Sequence, residues 1–154
     1  MAEQDRLETA FRVVTWAHVI AQLTGTWANR LLAPTDVPYA QFGVLQHFAR
    51  HPERGETVGE VAAAFQANQP AMTKTLQHLV RKGFLRVERS GGDGRKRVHF
   101  VTEAGRMAHR AALARLAPVA ALTFADWSDA DLIQIDDLMT RLKTWLDTNR
   151  DAAG

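Results

Sequence analysis

The chain has 154 residues, 46% of them hydrophobic and 23% charged, with a formal net charge of +2. This is one domain's worth of sequence, with enough apolar material to bury a core. The lack of cysteine excludes thiol-based peroxide sensing, and no apolar run approaches the length of a membrane span. The N-terminal Met-Ala-Glu-Gln-Asp-Arg is no secretory signal, so a cytoplasmic protein without a membrane partner is expected.

The first predicted element is a helix from about Gln4 to Leu32 with two apolar stripes. One stripe is Leu7, Phe11, Val14, His18 and Ala21; the other is Val13, Trp16, Ile20, Leu23 and Trp27. A helix with one core face needs one stripe, so two imply burial on both sides. After Pro38 a helix runs from Tyr39 to Arg50. Thr57-Val58-Gly59-Glu60 is a capping box, and it opens a short helix over Val58 to Phe65. A second helix start follows at Asn68, with Pro70 in the first turn where its missing N–H costs nothing. That helix covers Ala71 to Lys82 and stops at Gly83, the residue type suited to the left-handed C-terminal position. Met72, Leu76, Leu79 and Val80 form its core face, while Gln69, Thr73, Lys74 and Gln77 fall elsewhere.

Two short strands come next, Phe84 to Val87 and Val98 to Val101, joined by a tip containing Gly92-Asp93-Gly94-Arg95-Lys96-Arg97. Two helices with a short turn, followed at once by a basic hairpin, form a winged helix-turn-helix. Between Arg54 and Arg106 there are ten Lys and Arg against five Asp and Glu, which leaves −3 for the remainder. Positive charge is concentrated where a nucleic acid would bind. Hydrogen-bonding side chains at the start of the second helix suit base edges and phosphates, and arginines on a narrow ribbon suit the minor groove.

The last two predicted helices run from Glu103 to about Leu122 and from Ser128 to about Asn149. Thr102 opens the first, and Pro118 should kink or end it. Ser128-Asp129-Ala130-Asp131 caps the second, whose wide apolar face is Leu132, Ile135, Leu138, Met139, Leu142, Trp145 and Leu146. A winged part of this size cannot cover all the terminal helices, so a second copy across a two-fold axis is expected. The predicted organisation is a single, mostly α domain, 1–154. Within it, 38–102 is a winged helix-turn-helix with a two-stranded β-wing, and 4–33 with 103–149 form a helical dimerisation part.

The chain resembles the multiple-antibiotic-resistance regulator (MarR) family of bacterial transcription factors. The matching residues are Tyr39-Ala40-Gln41-Phe42-Gly43-Val44-Leu45, Val58-Gly59-Glu60-Val61-Ala62 and Gln69-Pro70-Ala71-Met72-Thr73-Lys74. Leu79-Val80-Arg81-Lys82-Gly83-Phe84-Leu85, Asp93-Gly94-Arg95 and Val101-Thr102-Glu103-Ala104-Gly105-Arg106 complete the pattern. The resemblance implies a homodimeric regulator, expected as a ligand-responsive repressor, on a pseudo-palindromic operator. It makes Arg95 the arginine that reaches the minor groove, braced by Asp93 through a charge-assisted hydrogen bond. Lys96 or Arg97 would meet nearby phosphates, and Gln69, Thr73, Lys74 and Gln77 would approach the major groove. Two positions depart from the pattern. Gly94 stands where the family often has another arginine, and Gln66-Ala67-Asn68 replaces a turn that usually contains glycine.

Relatives bind aromatic acids in a cleft between the dimer helices and the winged part. Here Trp16, Ile20, Trp27, Phe42 and Phe48, with the polar Arg12 and His18, would suit an aromatic anion. The alternative is that these aromatics fill the core. His47 and His51 are four apart on one helix, with His109 on another, but no ligand set is completed by spacing. No metal and no cofactor are expected. Enzymatic activity is not expected either, since the chain has no glycine-rich phosphate loop and no zinc-peptidase signature. Its two serines, Ser90 and Ser128, are not glycine-flanked nucleophiles. The competing functional readings are a winged-helix protein-interaction module without specific DNA binding and a metal-responsive regulator.

Overall fold

A computed structural model describes residues 3–89 and 96–149. Its elements are α1 (Glu3–Leu32), α2 (Tyr39–Arg50), β1 (Glu56–Thr57), α3 (Val58–Ala64), α4 (Gln69–Arg81), β2 (Leu85–Arg89), β3 (Arg97–Val101), α5 (Glu103–Thr123) and α6 (Asp129–Thr148). The chain divides into two compact units, Met1–Leu116 and Ala117–Gly154.

The core of the first unit is built from α2, α3, α4 and the sheet, with Leu32 of α1 and Ala112 of α5 packed into it. Leu45, Val61, Leu76, Leu79 and Ala112 are fully buried there, with Phe48, Val44, Leu32 and Val37 nearly so. The core face read on the second helix is the one observed: Met72, Leu76 and Leu79 are buried and Val80 is half-buried. Local chemistry fixes where the helices start. Thr57 Oγ1 accepts from the Glu60 N–H at 3.3 Å, and the Glu60 carboxylate accepts from the Thr57 N–H at 2.7 Å. That reciprocal capping holds the Glu60 carboxyl below the usual carboxylate range, through the Thr57 backbone hydrogen bond first and its hydroxyl second. Asn68 Oδ1 accepts from the Ala71 N–H at 2.8 Å and starts α4 at Gln69.

The end of α4 is equally well defined. Gly83 has φ 72°, its N–H donates to Val80 O at 2.9 Å, and the Phe84 N–H donates to Leu79 O at 2.9 Å. This is a Schellman motif, which satisfies two carbonyls the helix leaves open. Thr102 then ties the wing back to this junction. Its hydroxyl donates to Gly83 O at 2.6 Å and accepts from the Gly105 N–H at 3.0 Å, which caps α5. Gly105 is required at that spot, because a Cβ there would lie 2.1 Å from Phe84 O.

The expected two strands of the wing pair as β2 and β3, and a third short strand, β1, extends their sheet. The sheet has three antiparallel strands in the order β1-β3-β2. Glu56 pairs with His99 and Thr57 with Val98, so Thr57 is at once a strand residue and the cap of α3. Two residues are too few to show the alternation by which a strand is read from sequence. Of the two outcomes expected at Pro118, a kink or an end, an end does not occur. The helix passes through Pro118 to Thr123. Pro118 removes one N–H donor, and the acceptor it would have used, on Ala114, belongs to an exposed residue that water can serve.

In the second unit, Ser128 Oγ accepts from the Asp131 N–H at 3.2 Å, and the Asp131 carboxylate accepts from the Ser128 N–H at 3.1 Å. The capping signal read at Ser128 starts α6 as expected. The side-chain and backbone hydrogen bonds from Ser128 lower the Asp131 pKa. No residue of α6 is buried. No helix of the described residues is long and apolar enough to cross a membrane.

Candidate nucleic-acid interface

The turn before α4 carries the first departure from the family pattern. Gln66 takes φ 52°, so a non-glycine residue occupies the left-handed conformation that glycine would adopt without steric cost. Its side-chain amide donates to Ala63 O at 3.0 Å, fastening the turn to the end of α3. The geometry of a helix-turn-helix is thus reached without glycine.

On α4, Gln69, Lys74 and Gln77 are exposed and Thr73 is half-buried. The Thr73 hydroxyl donates to Gln69 O at 2.8 Å, leaving its oxygen lone pairs to accept from a ligand. A groove of about 260 Å³ runs between this helix and the wing, lined by Val58, Thr73, Gln77, Val80, Arg81, Val87, Arg97 and His99. It brings Thr73 and Gln77 together with Arg97. Gln69, Lys74 and Lys96 are exposed and are not among its lining residues. Asp93 and Arg95, the expected wing contacts, lie outside the described residues.

The strand register adds a feature that sequence reading missed. Arg89 is the direct partner of Arg97, two positions beyond the Val87–His99 pair on the same face. Like charges placed opposite each other on a ladder repel, and a polyanion lying along that face would relieve them. Arg81 joins the same groove from the last turn of α4. Arg89 does not stand out in the sequence, because the signal is the pairing of β2 with β3 rather than any spacing along the chain. Arg86 is engaged elsewhere, with its guanidinium 4.5 Å over the Phe100 ring and paired with Glu88.

The floor of the groove is anchored by buried polar groups. His99 is 6% exposed, and Nδ1 lies 3.3 Å from Glu56 O. Burial pushes its pKa below the ordinary imidazole value, helped by the Arg97 charge and opposed by the Glu56 carbonyl. The Glu56 carboxylate is itself buried, meets His47 Nε2 at 2.9 Å and lies 3.5 Å from Arg54 Nε. His47 thus braces β1 against α2, and its ring packs edge-on against Phe48 and Phe65. His51 is the exposed C-cap of α2. His109 stacks on Phe42 at 5.4 Å, and its Nε2 is buried with no hydrogen-bond partner among the described residues.

The residues considered for an effector pocket are scattered. Phe42 and Phe48 are core residues, 6% and 1% exposed. Arg12, Trp16, His18 and Ile20 are exposed along α1, and Trp27 is half-buried near its end. Arg12 Nη2 donates to Thr9 Oγ1 at 3.1 Å. A single chain does not gather the seven into one wall.

A helix-turn-helix whose second helix faces a three-stranded wing across a basic groove defines a winged helix-turn-helix protein. Comparison with known proteins refines this. Residues 35–96 match the model of the MarR family. The solved structure of the transcriptional regulator SlyA matches with a TM-score of 0.80 at 13% identity, covering 92% of this chain and 99% of that one. BldR from Sulfolobus solfataricus, a transcriptional regulator, gives 0.76 at 19% identity, covering 92% and 99%. MepR of S. aureus, solved in complex with DNA, gives 0.75 at 20% identity, covering 86% and 96%. No curated protein sequence matches the chain significantly. The match over residues 35–96 and the likeness of fold together show a chain with the winged helix-turn-helix fold of the MarR-family structures.

Proposed function

We propose that the chain is a sequence-specific DNA-binding transcription regulator that binds a pseudo-palindromic operator as a homodimer. The observation that carries this reading is the groove in which Thr73, Gln77 and Arg81 of α4 face Arg97, with Arg89 paired to Arg97 on the same strand face. Gln69, Thr73, Lys74 and Gln77 approach base edges and phosphates of the major groove. Arg89, Lys96 and Arg97 neutralise backbone phosphates. Arg95, braced by Asp93, enters the minor groove beyond them. The MepR complex supports a DNA partner by likeness of fold. The exposed stripes of α1 and α6 supply the faces for the second copy, which sets the two recognition helices for half-sites about 34–36 Å apart.

Binding to a duplex selected from a random library tests the reading. Affinity is expected to fall steeply with salt, and Arg97→Ala to cost roughly 1–3 kcal/mol and reduce the salt slope by about one. Wild-type affinity in Arg97→Ala, Arg89→Ala and Arg95→Ala alike, with folding intact, removes the wing from the interface. A ligand-responsive repressor is the regulatory form the reading includes. An aromatic anion would then meet Trp16 and Ile20 only where a second copy closes over α1. Aromatic carboxylates that change tryptophan emission and release the duplex support it. A panel that does neither removes the effector.

A further inference from the structure

Lys82 sits where the recognition helix gives way to the wing. It is the C-cap residue of α4, and Gly83 then turns the chain towards β2. Its side chain leaves this junction and crosses to the turn between α1 and α2, which lies 46 residues earlier in sequence. There Nζ donates to the backbone carbonyl of Asp36 and to Gln41 Oε1 at 3.1 Å, and it lies 2.9 Å from Asp36 Oδ1. Three oxygens match the three hydrogens of an ammonium. The Lys82 side chain is 21% exposed, so this lysine, unlike Lys74 or Lys96, is already committed to its own chain.

The turn it grips is short; beside its apolar contacts, Asn29 Oδ1 of α1 accepts from the Tyr39 N–H of α2 at 3.2 Å, a neutral bond weaker than those of an ammonium. α1 ends at Leu32, 2% exposed; Val37, also 2% exposed, enters the core, and Pro38 begins α2. The Thr35 hydroxyl donates to Leu32 O at 2.7 Å within the turn. Apolar burial is non-directional and holds the turn in place without fixing its angle. Charge-assisted hydrogen bonds to one backbone carbonyl, one carboxylate and one amide do fix it. α1 has 30 residues, about 45 Å at 1.5 Å per residue, so a small change of angle at this end displaces the other by several ångströms.

We infer that Lys82 is a positioning residue for operator recognition. Its ammonium fixes the angle between α1 and the recognition helix, and through the dimer it fixes the separation of the two recognition helices. This rests on the dimeric DNA-binding reading above, in which α1 is held by the second copy. Lys82 does not touch DNA in this arrangement; it acts through Asp36 and Gln41.

The chain has no cysteine, so His78→Cys, at an exposed position of α4, gives one spin label per chain. The distance between the two labels in the intact dimer then reads helix separation directly. A narrow distribution is expected in the otherwise unchanged protein. Lys82→Met, which keeps the aliphatic stem, is expected to broaden it and move its mean by several ångströms. Lys82→Arg should restore most of the narrow form, and Asp36→Asn should reproduce the Lys82→Met change without adding to it. On duplexes whose half-site spacing is varied, Lys82→Met should lose about tenfold at the preferred spacing, with unchanged binding to a single half-site and an unchanged salt slope. Superimposable distance distributions overturn the inference. So does an equal loss at every spacing with the salt slope reduced by about one, which marks an ordinary phosphate contact. Should Lys82→Met fail to fold, Asp36→Asn decides alone, since its carboxylate is 75% exposed. A label pair with no measurable distance in the parent protein refutes the dimer first, and this inference with it.

Discussion

The two ends of α1 live in different surroundings. Towards its C-terminus Ala28 and Leu32 are buried in the winged body, whereas Leu7, Phe11, Val14, Trp16 and Ile20 each expose more than half their surface. α6 resembles the open end. Ile133, Leu138, Trp145 and Leu146 are at least half exposed, and nothing on that helix is buried. The winged body, by contrast, closes on itself around Leu45, Val61, Leu76 and Leu79. Large apolar surface left in water is costly at roughly 25 cal/mol per Å², and contiguous patches of it mark interaction surfaces. The winged body therefore needs only its own chain, and the terminal helices need a second surface. In the proposed dimer a second copy would meet that need with the same stripes, as an isologous interface does.

The largest expected effect breaks this contrast at the open end. Phe11→Glu with Trp145→Glu alters side chains that are 67% and 62% exposed, so a lone chain should tolerate both. A dimer that buries them should lose about 3–6 kcal/mol of association per chain, from the transfer of two large apolar side chains in each copy. Sedimentation equilibrium reads this directly, and an unchanged oligomeric state means that these stripes are not the interface.

Leu76→Ala cuts at the closed end. Leu76 is fully buried, so truncation should cost about 2–5 kcal/mol in denaturant unfolding. Leu138→Ala, at a half-exposed position, should cost no more than about 0.5 kcal/mol in chains first made monomeric by the two charges. Equal costs at the two sites would erase the distinction between the regions.

The smallest effect concerns pH. His99 is kept neutral chiefly by burial, so its folded pKa lies below the ordinary value of 6.5. The unfolded chain then binds the extra proton in that window. Stability is full above pH 6.5 and is lost as the pH falls towards the folded pKa. His109, lowered by burial and by Arg110, contributes with the same sign. The thermal midpoint should drop between about pH 7.5 and about pH 5.5, and His99→Gln should reduce that drop. A midpoint that does not change over this range contradicts the buried neutral imidazole.

Much of this architecture is legible in the sequence because its signals are local. Thr57, Asn68, Gly83 and Ser128 mark helix ends through hydrogen bonds made within a few residues, and Pro70 marks one through its fixed φ and missing N–H. The 3.6-residue spacing of Met72, Leu76 and Leu79 identifies the core face of α4 for the same reason. What escaped is set by residues far apart in the chain. β1 exists only because Glu56 and Thr57 pair with His99 and Val98. Arg89 comes to lie beside Arg97 through the strand register, and Lys82 reaches Asp36 across the fold. Phe42 and Phe48 are buried in the core, and aromatic residues at helical spacing describe a core face as well as a pocket wall.

Sedimentation of the chain with a fluorescent duplex selected from a random library tests the central claim most directly. Two chains per duplex, from a protein already dimeric without DNA, with binding lost as salt is raised, is the predicted result. A monomer that leaves the duplex sedimenting alone at low salt would contradict it.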